Sequence, residues 1–85
     1  MPVEKELQEI HSMMGNLLVD STIPKNIRKA IGDAKERIEG DDEMIVKVSA
    51  SIYLVESISD DINMPPHART QIWALMSALE SVKKR

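Results

Sequence analysis

The chain has no cysteine and no phenylalanine, a single tyrosine and a single tryptophan, and three glycines in 85 residues. Without thiols there is neither a disulfide framework nor a thiolate zinc site, which fits a reducing compartment. With so few aromatics the interior must be built from Ile, Leu, Val, Met and Ala. Six methionines supply unbranched thioethers that fill irregular gaps. Nowhere do 18 consecutive apolar residues occur, so no membrane span is expected. The start, Met1-Pro2-Val3-Glu4-Lys5-Glu6, carries no apolar secretory run, and the chain reads as cytoplasmic. A formal charge of −3 opposes a generic nucleic-acid binder, which needs a basic stripe to displace counterions, although a local basic patch is compatible with it. Chemistry is sparse as well. There is no G-x-S-x-G, no phosphate-cradling glycine loop, no dinucleotide fingerprint and no H-E-x-x-H pattern.

What is present is a repeat at an offset of about 41 residues. Pro24, Arg28, Ile31 and Glu39 recur as Pro65, Arg69, Ile72 and Glu80, and Asp20 recurs as Asp61. Met13, Leu17, Ile23 and Ile38 recur with the apolar substitutes Leu54, Ile58, Met64 and Leu79. Self-similarity at a fixed period fixes architecture before any local assignment. Here it predicts two αα-hairpins packed face to face in one domain.

Apolar spacing places the helices. Val3, Leu7, Ile10, Met14 and Leu17 form one stripe, predicting a helix over about 3–19. A second helix, about 24–39, is expected to begin at Pro24 as its first helical residue, with Ile27, Ile31, Ala34 and Ile38 on its stripe and Gly40 as a left-handed cap. A third, about 42–61, is expected to be capped by Asp41 or Asp42 and to carry Ile45, Val48, Ile52, Val55 and Ile62, with Leu54 and Ile58 broadening the face. Its Val46–Ile52 stretch also alternates like a strand, but no partner strand pattern exists. A fourth, about 66–83, starts at Pro66 because a residue before proline is pushed from helical angles. It carries Ala68, Ile72, Leu75, Leu79 and Val82, flanked by Trp73 and Met76, and ends on Lys83-Lys84-Arg85. Short loops then imply an all-α, antiparallel up-down-up-down four-helix bundle.

That topology gathers both repeated loops at one pole. Asp20, Ser21, Thr22, Asn26 and Arg28 should lie beside Asp60, Asp61, Asn63, His67 and Arg69. Arg28 and Arg69 sit one turn inside their helices, where the dipole disfavours a cation. Either Asp20, Asp60 and Asp61 pair with them as symmetric loop-to-helix links, or the two arginines hold a carboxylate or phosphate. His11 and His67 are too far apart for one metal, and the acidic turn Glu39–Glu43 lacks calcium-loop spacing, so neither metal nor cofactor is expected. Gly32, the repeat partner of Trp73, suggests a close approach by a neighbouring helix or the indole. Tyr53 is expected at a core edge with its hydroxyl wet.

At Ile23-Pro24-Lys25-Asn26-Ile27-Arg28-Lys29-Ala30-Ile31, at Met64-Pro65-Pro66-His67-Ala68-Arg69-Thr70-Gln71-Ile72-Trp73 and at Leu79-Glu80-Ser81, the chain resembles uncharacterised protein family 0147, small archaeal proteins of similar size. The resemblance spans nearly the whole chain. It implies a four-helix bundle and an archaeal cytoplasmic origin, and it carries no function or catalytic residue. The apolar-Pro-x-x-apolar-Arg pattern is also that of HEAT-type repeats, but two such repeats alone would lack capping repeats.

The functional reading that follows is a non-enzymatic interaction or assembly module, acting through the loop pole or an exposed Met/Ile/Trp strip on a protein partner or a second copy. The alternative is an accessory RNA- or nucleotide-binding protein using Arg28, Arg69 and the basic C-terminus. Third is an enzyme whose site forms only in an oligomer.

Overall fold

The computed structural model describes residues 3–84, and for Val3 the backbone alone. Expectations on the side chain of Val3 and on Arg85 lie outside the described residues. Four helices are present: α1 (Val3–Leu18), α2 (Lys25–Glu39), α3 (Met44–Ser59) and α4 (Pro66–Lys83). The starts of α1 and α3, and those of α2 and α4, are both 41 residues apart, which is consistent with a repeated hairpin. The Val46–Ile52 stretch is helical throughout.

Helix α1 packs on α2 and α4, and α3 packs on α2 and α4, while among the described residues α1 does not meet α3 and α2 does not meet α4. Repeat-related helices therefore occupy the diagonals of a square. A solenoid would stack them side by side, so this arrangement excludes the HEAT-type alternative. It is consistent with an up-down-up-down course and with two hairpins related by a two-fold along the bundle.

The body measures 33 × 21 × 20 Å, and one interior runs its length. Ile10, Met14 and Leu17 of α1, Ile27, Ile31, Ala34 and Ile38 of α2, Val48, Ile52, Val55 and Ile58 of α3, and Ala68, Ile72, Leu75, Leu79 and Val82 of α4 all belong to it. Ile23 and Met64, repeat partners from the two loops, are 2% and 4% exposed and plug one end. Each such side chain stabilises the fold by roughly 1.5–3 kcal/mol relative to leaving it in water. One buried polar contact joins α3 to α2, where the Ser51 hydroxyl donates to the Ala34 carbonyl at 3.1 Å.

Several helix ends differ from the sequence expectation, each for a local reason. Pro24 is the N-cap of α2 and not its first residue: its ψ of 149° is extended, and its carbonyl accepts the amides of Ile27 and Arg28 at 3.1 and 3.0 Å. Pro65 does the same for α4, accepting from Arg69 at 3.0 Å, with Pro66 at the first helical position as expected. Gly40 is not left-handed but extended, at φ −75° and ψ 179°. Neither Asp41 nor Asp42 caps α3. Glu43 holds the N-cap without a side-chain bond, and Asp42 turns back to Arg37 at 3.6 Å.

Helix α3 also stops at Ser59, short of 61, which leaves Ile62 in the loop and 90% exposed. Met64 takes the interior place that Ile62 was expected to fill. Ile45, also expected inside, is 49% exposed because α3 has barely begun there.

Candidate functional site

Helices α1 and α3 end in the same way. Past each, an aspartate closes a turn: Asp20 N–H donates to Leu17 O at 3.3 Å and Ile23 N–H to Asp20 O at 3.2 Å. In the second loop Asp61 N–H donates to Ile58 O at 3.2 Å and Met64 N–H to Asp61 O at 3.1 Å. One carboxylate oxygen of each aspartate then accepts the amide two residues on, Thr22 N–H at 2.9 Å and Asn63 N–H at 2.8 Å. This Asx turn offers the chain an alternative to helix.

The second oxygen of each aspartate reaches across to the other hairpin. His67 Nε2 lies 2.9 Å from Asp20 Oδ2, and Asn26 Nδ2 donates to Asp61 Oδ2 at 3.0 Å. Because a carboxylate can only accept, Nε2 carries the proton in the first contact. Asn26 and His67 are repeat partners, as are Asp20 and Asp61. The two bonds are thus one brace made twice, in opposite directions across the pole. Asp20 is held down at about 2, first by the Thr22 hydroxyl, then by His67 and the Thr22 amide.

This geometry corrects the expected arginine links. Among the described residues neither Arg28 nor Arg69 pairs with Asp20, Asp60 or Asp61. Arg28 Nε donates to the Ile23 carbonyl at 3.0 Å and an Arg69 guanidinium nitrogen to the Asp61 carbonyl at 3.4 Å. The aspartates are already engaged by the amides and by the opposite hairpin, so the guanidinium groups tie loop backbone to helix. The pole therefore holds two separate pairs, Asp20 with His67 and Asp61 with Asn26, and neither arginine takes part in them.

A catalytic relay does not follow from this cluster. Thr22 Oγ1 donates to Asp20 Oδ1 and lies 3.2 Å from His67 Nε2. Hydroxyl and carboxylate therefore share one ring nitrogen, whereas a relay needs them on opposite nitrogens. His11 is elsewhere, 2.7 Å from Glu39. Glu39 titrates lower than usual, through Lys35 first and then His11. Among the described residues no cluster of three or more His, Asp or Glu is placed to hold a metal.

A second feature lies on the outside of the second hairpin. Trp73 and Tyr53, the two aromatics, are 60% and 74% exposed, so Tyr53 stands well beyond a core edge. Gly32 does not make room for the indole: a Cβ there would meet only Leu18 Cδ2, at an ordinary 3.6 Å. Met44, Ile45 and Val46 are also exposed, at the start of α3. Helix α3 carries two charged residues, Lys47 and Glu56, in 16, and α4 carries Arg69, Glu80 and Lys83 in 18. By contrast α2 is charged at more than half of its 15 positions.

The model of Uncharacterised protein family (UPF0147) matches residues 1–82. The chain belongs to this family. A UPF0147 protein of Methanocaldococcus jannaschii is 44% identical over 82 residues, covering 94% of this chain and 87% of that protein. One from Pyrococcus furiosus is 36% identical over 83 residues, covering 95% of this chain and 89% of its own length. A crystal structure of a protein of unknown function aligns with a TM-score of 0.86 at 42% identity, covering 89% of this chain and 88% of that one. The crystal structure of a UPF0147 protein from Thermoplasma acidophilum aligns at 0.88 with 25% identity, covering 93% and 94%. These likenesses give the UPF0147 fold and no activity. Among the described residues of the present member, no helix is long and apolar enough to cross a membrane.

Proposed function

We propose that this UPF0147 protein is a cytoplasmic, non-enzymatic interaction or assembly module whose working surface is the outer face of α3 and α4. The observation that carries the reading is where the aromatics stand. In a chain with one Trp and one Tyr, neither fills the interior, and both project from helices poor in charge. Interface cores are depleted in charged residues and enriched in Trp, Tyr and Met, and such aromatics supply the residues whose truncation costs binding most. The loop pole serves as the clamp that joins the hairpins. The formal charge of −3 favours a protein partner over RNA, which needs a basic surface to displace counterions.

Site-specific photo-crosslinking in living cells tests this. A benzophenone side chain at Tyr53 or Trp73 should capture a protein, whereas the same group at Glu36 or Lys29, on the outer face of α2, should not. Equal capture from both faces, or none from either, overturns the assignment.

A further inference from the structure

We infer that the outer face of α3 and α4 is covered by the same face of a second copy of this chain, docked about a two-fold axis. This rests on reading that face as the working surface and adds what occupies it.

The repeat provides an internal control. The exposed positions Val46, Tyr53, Thr70 and Ser77 correspond, 41 residues earlier, to Lys5, Ser12, Lys29 and Glu36. Three of these four places are charged on the first hairpin and none on the second. Folding does not require the uncharged set, since α1 and α2 bury equivalent core stripes beneath a charged exterior. Charge is sparser on one side of the molecule than on the other.

A face poor in charge is best covered by another face poor in charge. If the outer face of α1 and α2 from another copy docked there, it would bury Lys5, Glu36 and the Lys29–Asp33 ion pair against a surface with little charge to offset Lys5 and Glu36. A charge buried without a partner is strongly destabilising. The surface of this chain that covers α3 and α4 without that penalty is α3 and α4 itself. A patch that pairs with itself is isologous, and the assembly closes at two. The few charges on these helices are of mixed sign, so a two-fold copy does not oppose a block of like charge.

The dimensions are sufficient. One side of the body is about 33 Å long and 20 Å wide. That footprint is of the order needed for a standard interface, about 800 Å² of accessible surface per partner. Tyr53 and Trp73, both exposed, then act as its aromatic anchors.

The test copies the first hairpin onto the second. The variant Val46→Lys, Tyr53→Ser, Thr70→Lys, Ser77→Glu places on α3 and α4 the residues found 41 positions earlier, all at exposed sites. Sedimentation equilibrium should give the parent protein twice the 9.6 kDa chain mass, and the variant the chain mass itself with unchanged helical circular dichroism. Because the chain has no cysteine, Tyr53→Cys should also oxidise to a covalent dimer, whereas Lys29→Cys should not. A parent that stays monomeric up to about 1 mM, where even millimolar affinity registers, overturns the second copy. So does a quadruple variant that remains dimeric. If the parent is monomeric yet position 53 crosslinks to a different protein in cells, the second copy is refuted and the working surface stands. If nothing is captured, both fail.

Discussion

Gly15 and Gly32 lie in the interiors of α1 and α2, where glycine costs about 1 kcal/mol relative to alanine because it surrenders more backbone freedom on folding. A Cβ at Gly15 would meet nothing within 4 Å, and one at Gly32 would meet only Leu18 Cδ2 at 3.6 Å. Neither methyl clashes, and the second gains an apolar contact. Gly15→Ala and Gly32→Ala should each stabilise the protein by about 0.8–1 kcal/mol. Both lie on the first hairpin, away from the proposed interface, so association is untouched. For a chain of this size 1 kcal/mol corresponds to about 4–8 °C in Tm, so the double variant should melt roughly 6–16 °C higher. Thermal unfolding followed by circular dichroism at one fixed protein concentration measures this, with urea unfolding confirming an unchanged m-value. A Gly32→Ala protein destabilised by more than about 0.5 kcal/mol would show that α2 is approached more closely there than the structure allows.

Further outcomes follow from the duplicated core and the brace. Ile31→Ala and its repeat partner Ile72→Ala, both fully buried, should each cost about 2–5 kcal/mol in denaturant titrations. A loss at one site alone would contradict equivalence of the halves. Ser51→Ala should cost about 1 kcal/mol by removing the Ala34 contact, and a neutral result would mean that the hydroxyl contributes nothing. Asp20 titrates at about 2 against an ordinary 3.8. Its folded value lies below its unfolded one, so its contribution is fully present above about pH 4 and fades as pH falls toward 2. Asp20→Asn should flatten that part of the stability–pH curve, and identical curves for parent and variant would refute the assignment. His67→Ala and Asn26→Ala should both weaken the clamp. Double-mutant cycles should couple 67 to 20 and 26 to 61, with no coupling between Asn26 and Asp20.

The helices and their core stripes were legible because apolar residues at three- and four-residue spacing have one economical reading, and the repeat supplied each stripe twice. Their ends were less so. Whether Pro24 is the cap or the first residue depends on ψ, and Glu43 in place of Asp41 or Asp42 depends on where Arg37 draws the turn. Ile62 was assigned to the interior on period alone, whereas the Asx turn at Asp61 ends the helix and leaves Met64 to fill the space. At the pole the residues were found but their pairing was not. Charge attraction points Arg28 and Arg69 at the aspartates, yet backbone amides and the opposite hairpin claim those carboxylates first. A signal for the true pairing was present, since residues 26 and 67 carry the same offset as 20 and 61.

The account holds that a duplicated hairpin provides the scaffold and that one hairpin alone presents a surface for association. Amide chemical shifts recorded across a dilution series test this most directly. Signals from Val46, Tyr53 and Trp73 should move with concentration while those of their repeat counterparts Lys5, Ser12 and Gly32 stay fixed. Movement confined to α1 and α2 would contradict it, and none anywhere would refute association with a second copy.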